Sequence, residues 1–262
     1  MNRLTLTLAA GLVSLSTVAL NNGAMAQEAP LPPHVQWSFD GVFGTFDRAQ
    51  LKRGWQVFKE VCSACHSAHQ LYYRNLTDLG FTDQEVKDIA AADQVPAGPN
   101  DQGDIITDGQ LNMRAGAPSD KIAQPFNNEK AARAANGGAL PPDLSLMVKA
   151  RKGGADYVHA ILTGFHDAPA GFTLQQGMNY NEYFRGHQIA MPPPLSDGRV
   201  TYADGTQANV DQMAKDVSAF LSWSSEPEME ARKRLGVKVL AFLLVLTGLL
   251  YAVKRKVWEG VH

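Results

Sequence analysis

Apolar residues recur along residues 47–62 with a helical period: Leu51, Trp55, Phe58 and Cys62 follow one another at intervals of four, three and four. Asp47 stands ahead of them with Gln50 three residues on, a capping-box-like start. The pattern predicts a helix that carries Cys62 on its apolar face, near its C-terminal end. A second amphipathic helix is predicted over residues 210–223, with Val210, Met213, Val217, Phe220 and Leu221 on one side. Gly154-Ala155-Asp156 opens a third, running to about residue 162. Asp204-Gly205, inside residues 200–206, is the dipeptide of a tight hairpin. Residues 96–100, 137–142 and 191–194 are dense in Gly and Pro and read as loops.

Two stretches are apolar all round. Residues 4–20 follow a lone Arg3 and lead to Ala24-Met25-Ala26, the pattern of a secretory signal with an A-x-A cleavage site. Residues 1–26 are therefore expected to be removed, leaving a chain that begins at Gln27. Residues 235–253 would reach about 28 Å as a helix, close to the thickness of a bilayer's hydrocarbon core. Arg232-Lys233-Arg234 precedes this run and Lys254-Arg255-Lys256 follows it. A helix apolar on every side and basic at both ends has no place in a small soluble core. Residues 232–256 are read as a transmembrane anchor with basic flanks, and residues 257–262 as a cytoplasmic tail. An export signal ahead of such an anchor puts residues 27–231 on the outer, periplasmic side of a bacterial cytoplasmic membrane.

Charge adds one feature. Across residues 27–225, 16 Lys and Arg stand against 22 Asp and Glu, a formal charge of −6. Much of the excess is local. Asp78, Asp83, Glu85, Asp88, Asp93, Asp101, Asp104 and Asp108 face only Lys87 in that interval. Such a field repels nucleic acid and attracts a basic partner; a solvated acidic loop that only aids solubility has the same composition.

The chemistry is concentrated in Cys62-Ser63-Ala64-Cys65-His66, a C-x-x-C-H motif of covalent haem attachment. Two thiols three positions apart reach the two vinyl groups of one haem, and the next residue presents an imidazole to the iron. A thioredoxin-like dithiol would leave His66 without a purpose and wants a βαβ context. A structural zinc site needs two further ligands, and the chain has no cysteine beyond these two. A disulfide between them would close too short a loop to stabilise much. The expected fold is mainly α: a single c-type cytochrome domain with long loops wrapped around one covalent haem, plus one C-terminal transmembrane helix.

An electron-transfer haem takes a second axial ligand. His69 lies too close to His66 to reach the opposite side of the ring. His34, His159, His166, His187 and His262 remain, as do several methionines. Met147 and Met213 sit at helical spacing, which suits a core, and Met113 and Met178 lie in loops without special rigidity. Met191 stands apart because Pro192-Pro193-Pro194 stiffens the backbone directly after it.

Several stretches carry a resemblance. They are Val61 to His66, Glu129 to Leu144, Ala150 to Tyr157, Leu162-Thr163-Gly164, Ile189-Ala190-Met191-Pro192, Tyr202 to Gly205, Ala214 to Val217 and Arg232 to Gly236. In that order, and over nearly the whole chain, the sequence resembles the cytochrome c1 family, haem subunits of the ubiquinol–cytochrome c reductase (bc1) complex of the respiratory chain. The resemblance implies one covalent haem c held by Cys62 and Cys65, with His66 and Met191 as iron ligands. It implies a haem pocket lined by Asn136, Ala139, Pro141, Pro142, Tyr157, Leu162, Phe184 and Ile189, with Arg151 pairing a propionate. It further implies an electron-transfer role with no bond chemistry of the chain's own. The partners would be cytochrome b and a Rieske iron–sulfur protein in a dimeric complex, and a soluble basic c-type cytochrome. Asp78, Asp83, Glu85 and Asp88 then become docking residues for that acceptor. Some bacterial relatives carry an extra cysteine pair that ties down the loop before the Met ligand; this chain lacks it.

Overall fold

The computed structural model describes residues 29–107 and 110–260. The expected signal segment and mature start at Gln27, and also Asp108 and His262, lie outside the described residues. Among the described residues six α-helices carry the structure, as the mainly α reading expects. They are α1 (Arg48–Glu60), α2 (Asp83–Ala91), α3 (Glu129–Ala135), α4 (Gly154–Thr163), α5 (Val210–Ser225) and α6 (Met229–Val257). Three two-stranded antiparallel ladders pin the loops between them, of which the pairing of Asn179–Tyr180 with Gln188–Ile189 matters most below.

Helix α1 starts where its cap is. The Asp47 carboxylate accepts from the N–H groups of Ala49 and Gln50, at 2.9 and 3.3 Å, satisfying two donors of the first turn. Its buried face is Leu51, Gly54, Trp55, Val57 and Phe58. The regular helix ends at Glu60, so Cys62 opens a separate 3₁₀ turn, Cys62–Ala64, instead of closing α1. Cys62 still packs against the same core. Helix α5 runs two residues beyond its expected end and is buried along nearly its whole length.

Helices α1 and α5 touch at Gly54. A β-carbon there would lie 2.1 Å from the Asp216 carbonyl oxygen and 2.7 Å from the Phe220 β-carbon, so only glycine permits this approach. Around the contact, Trp55, Phe58, Phe220 and Trp223 pack ring on ring with centroids 5.5–5.8 Å apart. Arg53, next to Gly54, donates from Nε and Nη2 to the fully buried Asp216 carboxylate and from Nη1 to Asp204. A buried carboxylate is tolerated only with such partners, and Gln212 supplies a further one at 2.9 Å.

Residues 200–206 do not form the expected hairpin. Gly205 does adopt a left-handed turn, at φ +76°, but no strands flank it. Within the segment only turn bonds close, the Gly205 N–H on the Tyr202 carbonyl at 3.2 Å and the Thr206 N–H on the Asp204 carboxylate at 2.9 Å. Helix α1 takes the rest: Gln56 Nε2 donates to the Thr201 carbonyl at 3.0 Å and Arg53 holds Asp204 at 2.8 Å. Side chains from outside the segment have taken the role that a partner strand would fill.

Helix α6 begins three residues before the expected anchor and continues unbroken for 29 residues. It is long and apolar enough to cross a membrane, and its apolar window is not buried by any other part of the described chain. Gly54→Ala is expected to lower stability by more than about 1–3 kcal/mol through overpacking of α1 on α5. Gly236→Ala, where nothing lies within 4 Å, should be near neutral. Thermal unfolding followed by circular dichroism separates the two.

Candidate haem site and the family of the chain

The turn after α1 is built to present three side chains. Backbone N–H groups of Cys65 and His66 both bond the Cys62 carbonyl, at 3.1 and 2.9 Å, and Ser63 Oγ donates to the Lys59 carbonyl at 2.6 Å. Cys62 and Cys65 are both free thiols, the first half-buried and the second exposed. Burial pushes the Cys62 thiol up to about 12, with Cys65 adding to the effect. That is opposite to the depressed value of a redox-active dithiol, and the strands among the described residues form only antiparallel pairs, with no βαβ unit around the turn, so the thioredoxin-like alternative finds no support.

His66 is oriented by a backbone group. Its Nδ1 lies 2.8 Å from the Pro142 carbonyl oxygen, which can only accept, so Nδ1 carries the proton. Nε2 therefore keeps its lone pair. Burial lowers the imidazole's proton affinity, although the Pro142 bond and Asp143 work the other way. A neutral imidazole with Nδ1–H on a carbonyl and Nε2 free is the form an iron ligand requires. Two unpaired thiols and an oriented imidazole on one turn fit a covalent haem.

Pro142 is held in place by its neighbour. Asp143 Oδ2 accepts from Ser67 Oγ at 2.7 Å, the His69 N–H at 2.9 Å and His69 Nδ1 at 2.6 Å, while Oδ1 accepts from the Ser145 N–H at 3.0 Å. Burial pushes this carboxyl up, but the donors prevail and hold it below the ordinary carboxylate range. The Leu144 N–H closes the clamp on the Ser67 carbonyl at 2.8 Å. His69 is thus occupied with Asp143, in keeping with its exclusion as a ligand. Asn136, Ala139 and Pro141 are half-buried on the chain leading into the clamp. Asn136 caps the end of α3 through its Nδ2, 2.7 Å from the Ala132 carbonyl.

Met191 belongs to a second unit, seated on the end of α4. Its carbonyl accepts from Asn179 Nδ2 at 3.3 Å, tying it to the strand opposite Ile189. The centre of the unit is Asn181, which is fully buried. Its Nδ2 donates to the Ile161 carbonyl at 2.8 Å, and its Oδ1 accepts from the N–H groups of Tyr183 and Phe184. The His187 ring stacks on Tyr180 at 5.7 Å, and Phe172 and His166 meet Tyr180 edge-on. His187 holds a left-handed backbone, φ 56°, secured by its own Nδ1 on the Glu182 carbonyl. These contacts secure the Met191 loop where a disulfide is lacking. Leu162 packs partly against the main core, and Arg151 lies beside the Tyr157 phenol, opposing the upward push of burial on it.

The remaining ligand candidates have other employment. His34 bonds Asp156 and His159 bonds Asp211, each at 2.9 Å. His166 and His187 belong to the ring stack, and Met213 is fully buried in the core. Met147 packs partly against that core and Met113 lies exposed in a strand. Of the acidic residues, Asp83 and Glu85 open α2, where Glu85 closes a capping box with Thr82, and Asp88 is exposed on the same helix. Asp78 sits instead near Arg48, Glu228 and Glu230, where burial and the two glutamates raise its carboxyl against the pull of Arg48. Arg48 opens α1, so this is the opposite end of that helix from Cys62.

Pattern reading missed Asp143 and Asn181. Asp143 directly follows two prolines, a hint of a turn but not of its partners. Asn181 bonds the N–H groups two and three residues on, a local turn that an asparagine can signal, but its bond to the Ile161 carbonyl depends on the fold.

Residues 37–261 match the Cytochrome C1 family. A cytochrome c1 of Rhodospirillum rubrum is 48% identical, over 97% of this chain and 96% of its own length. A protein of Candida albicans, the cytochrome b-c1 complex catalytic subunit, mitochondrial, is 49% identical over 88% of this chain and 78% of its own. The cytochrome b/c1 protein of Bradyrhizobium diazoefficiens is 48% identical over 88% of this chain, which spans only 36% of that longer polypeptide. With the two-thiol turn and the oriented His66 already in place, these matches mean that the chain belongs to the cytochrome c1 family.

Proposed function

We propose that this chain is the haem-bearing electron-transfer subunit of a cytochrome bc1 complex. It takes an electron from a Rieske iron–sulfur protein and passes it to a soluble c-type cytochrome during ubiquinol oxidation. The observation that carries this reading is His66, fixed by the Pro142 carbonyl with Nε2 free, directly after two unpaired thiols. Bound there, a haem supplies reversible one-electron exchange at its iron, at a potential raised by His/Met ligation.

The protein's own residues attach, orient and insulate. Cys62 and Cys65 provide the thioether sulfurs. His66 Nε2 would hold the iron, together with the Met191 thioether, which comes from a loop that Asn181 and the Tyr180/His187 stack restrain. Asn136, Ala139, Pro141, Pro142, Tyr157, Leu162, Phe184 and Ile189 line the pocket, and Arg151 offers a guanidinium to a propionate. The haem domain occupies the periplasmic side, after removal of residues 1–26, and α6 fixes it to the cytoplasmic membrane. Partnership with cytochrome b is supported by the Bradyrhizobium relative, whose name joins b and c1 in one polypeptide.

The acidic segment serves as a steering and docking field for the basic acceptor. Asp83, Glu85 and Asp88 cluster on the exposed side of α2, whereas Asp78 looks toward the start of α6.

Met191→Leu is expected to abolish the thioether–iron absorption of the ferric protein and to let the ferrous form bind carbon monoxide. A native protein that binds carbon monoxide rapidly would overturn the closed-site reading. Asn181→Ala, which strands two N–H groups and the Ile161 carbonyl, should cost about 1–3 kcal/mol and weaken the same absorption without removing it. Electron transfer to a basic cytochrome should slow steeply with added salt. Asp83→Asn with Asp88→Asn should flatten that dependence while Asp78→Asn leaves it intact, as stopped-flow rates at two ionic strengths would reveal. Gentle solubilisation should bring cytochrome b down with this chain; its isolation as a lone stable haem protein would sink the assignment to the complex.

A further inference from the structure

One apolar feature has no partner among the described residues. Asp40 to Gly44 form a tight turn: Gly41 is left-handed at φ +69°, and a β-carbon on Gly44 would lie 2.0 Å from the Asp40 carbonyl oxygen. At its tip Val42 is 64% exposed and Phe43 85%, the highest exposure of any large apolar side chain among the described residues. A core-forming segment does not aim two such side chains at water without a reason.

The turn is bound to the start of α6. Lys233 Nζ donates to the carbonyls of Phe39 and Gly44, at 2.7 and 3.0 Å, gripping both arms of the turn. One helical turn earlier, Glu230 accepts from the Phe46 N–H at 2.8 Å and pairs with both terminal nitrogens of Arg48. The apolar run of α6 begins at Leu235, two residues past Lys233, or about 3 Å further along the axis. The level at which the turn is held is therefore the level at which α6 enters the bilayer. Arg232 and Arg234 lie at the same height and favour anionic headgroups, and Lys238, about 7.5 Å further along the axis, can snorkel back toward them.

We propose that Val42 and Phe43 form a second membrane contact, bedded in the headgroup–acyl boundary of phospholipid beside α6. The inference rests on the reading of α6 as a spanning helix. A single helix fixes the distance of a domain from the membrane but leaves it free to rotate and tilt; a second contact beside the helix removes much of that freedom.

The full-length haem-loaded chain, kept with the cytochrome b that purifies with it and placed in nanodiscs of phosphatidylcholine and phosphatidylglycerol, tests this. An environment-sensitive fluorophore is placed at Val42→Cys, and separately at Phe43→Cys so that one poorly folded variant does not decide the outcome. The same label at Leu244→Cys reports on α6 and at Asp83→Cys on bulk water. Lipids bearing nitroxides near the headgroup should remove most of the fluorescence at Val42 and Phe43, while aqueous iodide removes little. Quenching at both tip positions by iodide, or by neither agent, overturns the second contact, the latter in favour of a protein neighbour. If the Leu244 label is itself quenched by iodide, the spanning reading of α6 fails; if Leu244 is lipid-quenched and the tip is not, only the present inference fails.

Discussion

Gly54 sets the distance between α1 and α5, and the placing of the chemistry follows from that distance. With any side chain at this position the two helices would part, and the Trp55, Phe58, Phe220 and Trp223 rings would lose their packing. Helix α1 ends in the thiol and imidazole turn, while α5 also packs on α4, whose end supports the Met191 unit. The two halves of the proposed iron site are therefore not hinged on each other directly. Each is fastened to its own helix, and α5 relates the helices. The buried Asp216, answered by Arg53 and Gln212, makes the relation specific in direction as well as in distance.

Helices with one apolar face could be read from the chain: α1, α4 and α5 lie close to where spacing puts them, and α6 follows from its uniform apolarity. What could not be read was supplied by groups distant in sequence. The proton on His66 is placed by a carbonyl 76 residues away, and Asn181 is defined by the end of α4, 20 residues earlier. The failed hairpin at Asp204-Gly205 has the same origin. Its local signal was sound for a turn, and Gly205 makes one, but α1 claimed the flanking carbonyl and carboxylate. Helix α2 is the opposite case, since Thr82-x-x-Glu85 is a capping box legible in the sequence and closed as one in the fold.

The acidic segment illustrates why a run of like charges is not yet a surface. In the chain Asp78, Asp83, Glu85 and Asp88 are neighbours; in the fold one of them faces the root of α6 while the others crown α2. Asp93, from the same run, is consumed in a pair with Lys59 and accepts from the Tyr73 hydroxyl. The solvated field that remains is smaller than composition suggests, and it is one-sided.

The joint between α5 and α6 is short and fully bonded. The Glu226 N–H reaches back to Ser222 and Trp223, the Met229 N–H bonds the Glu226 carbonyl, and the Glu226 carboxylate binds Lys149 and Arg232. Ser224 and Ser225 both donate to the buried Ser145 carbonyl, two residues from the Asp143 clamp. No slack is left between the anchor and the turn that presents His66. A tilt of α6 is therefore passed on to the turn that presents His66 instead of being taken up at the joint between them.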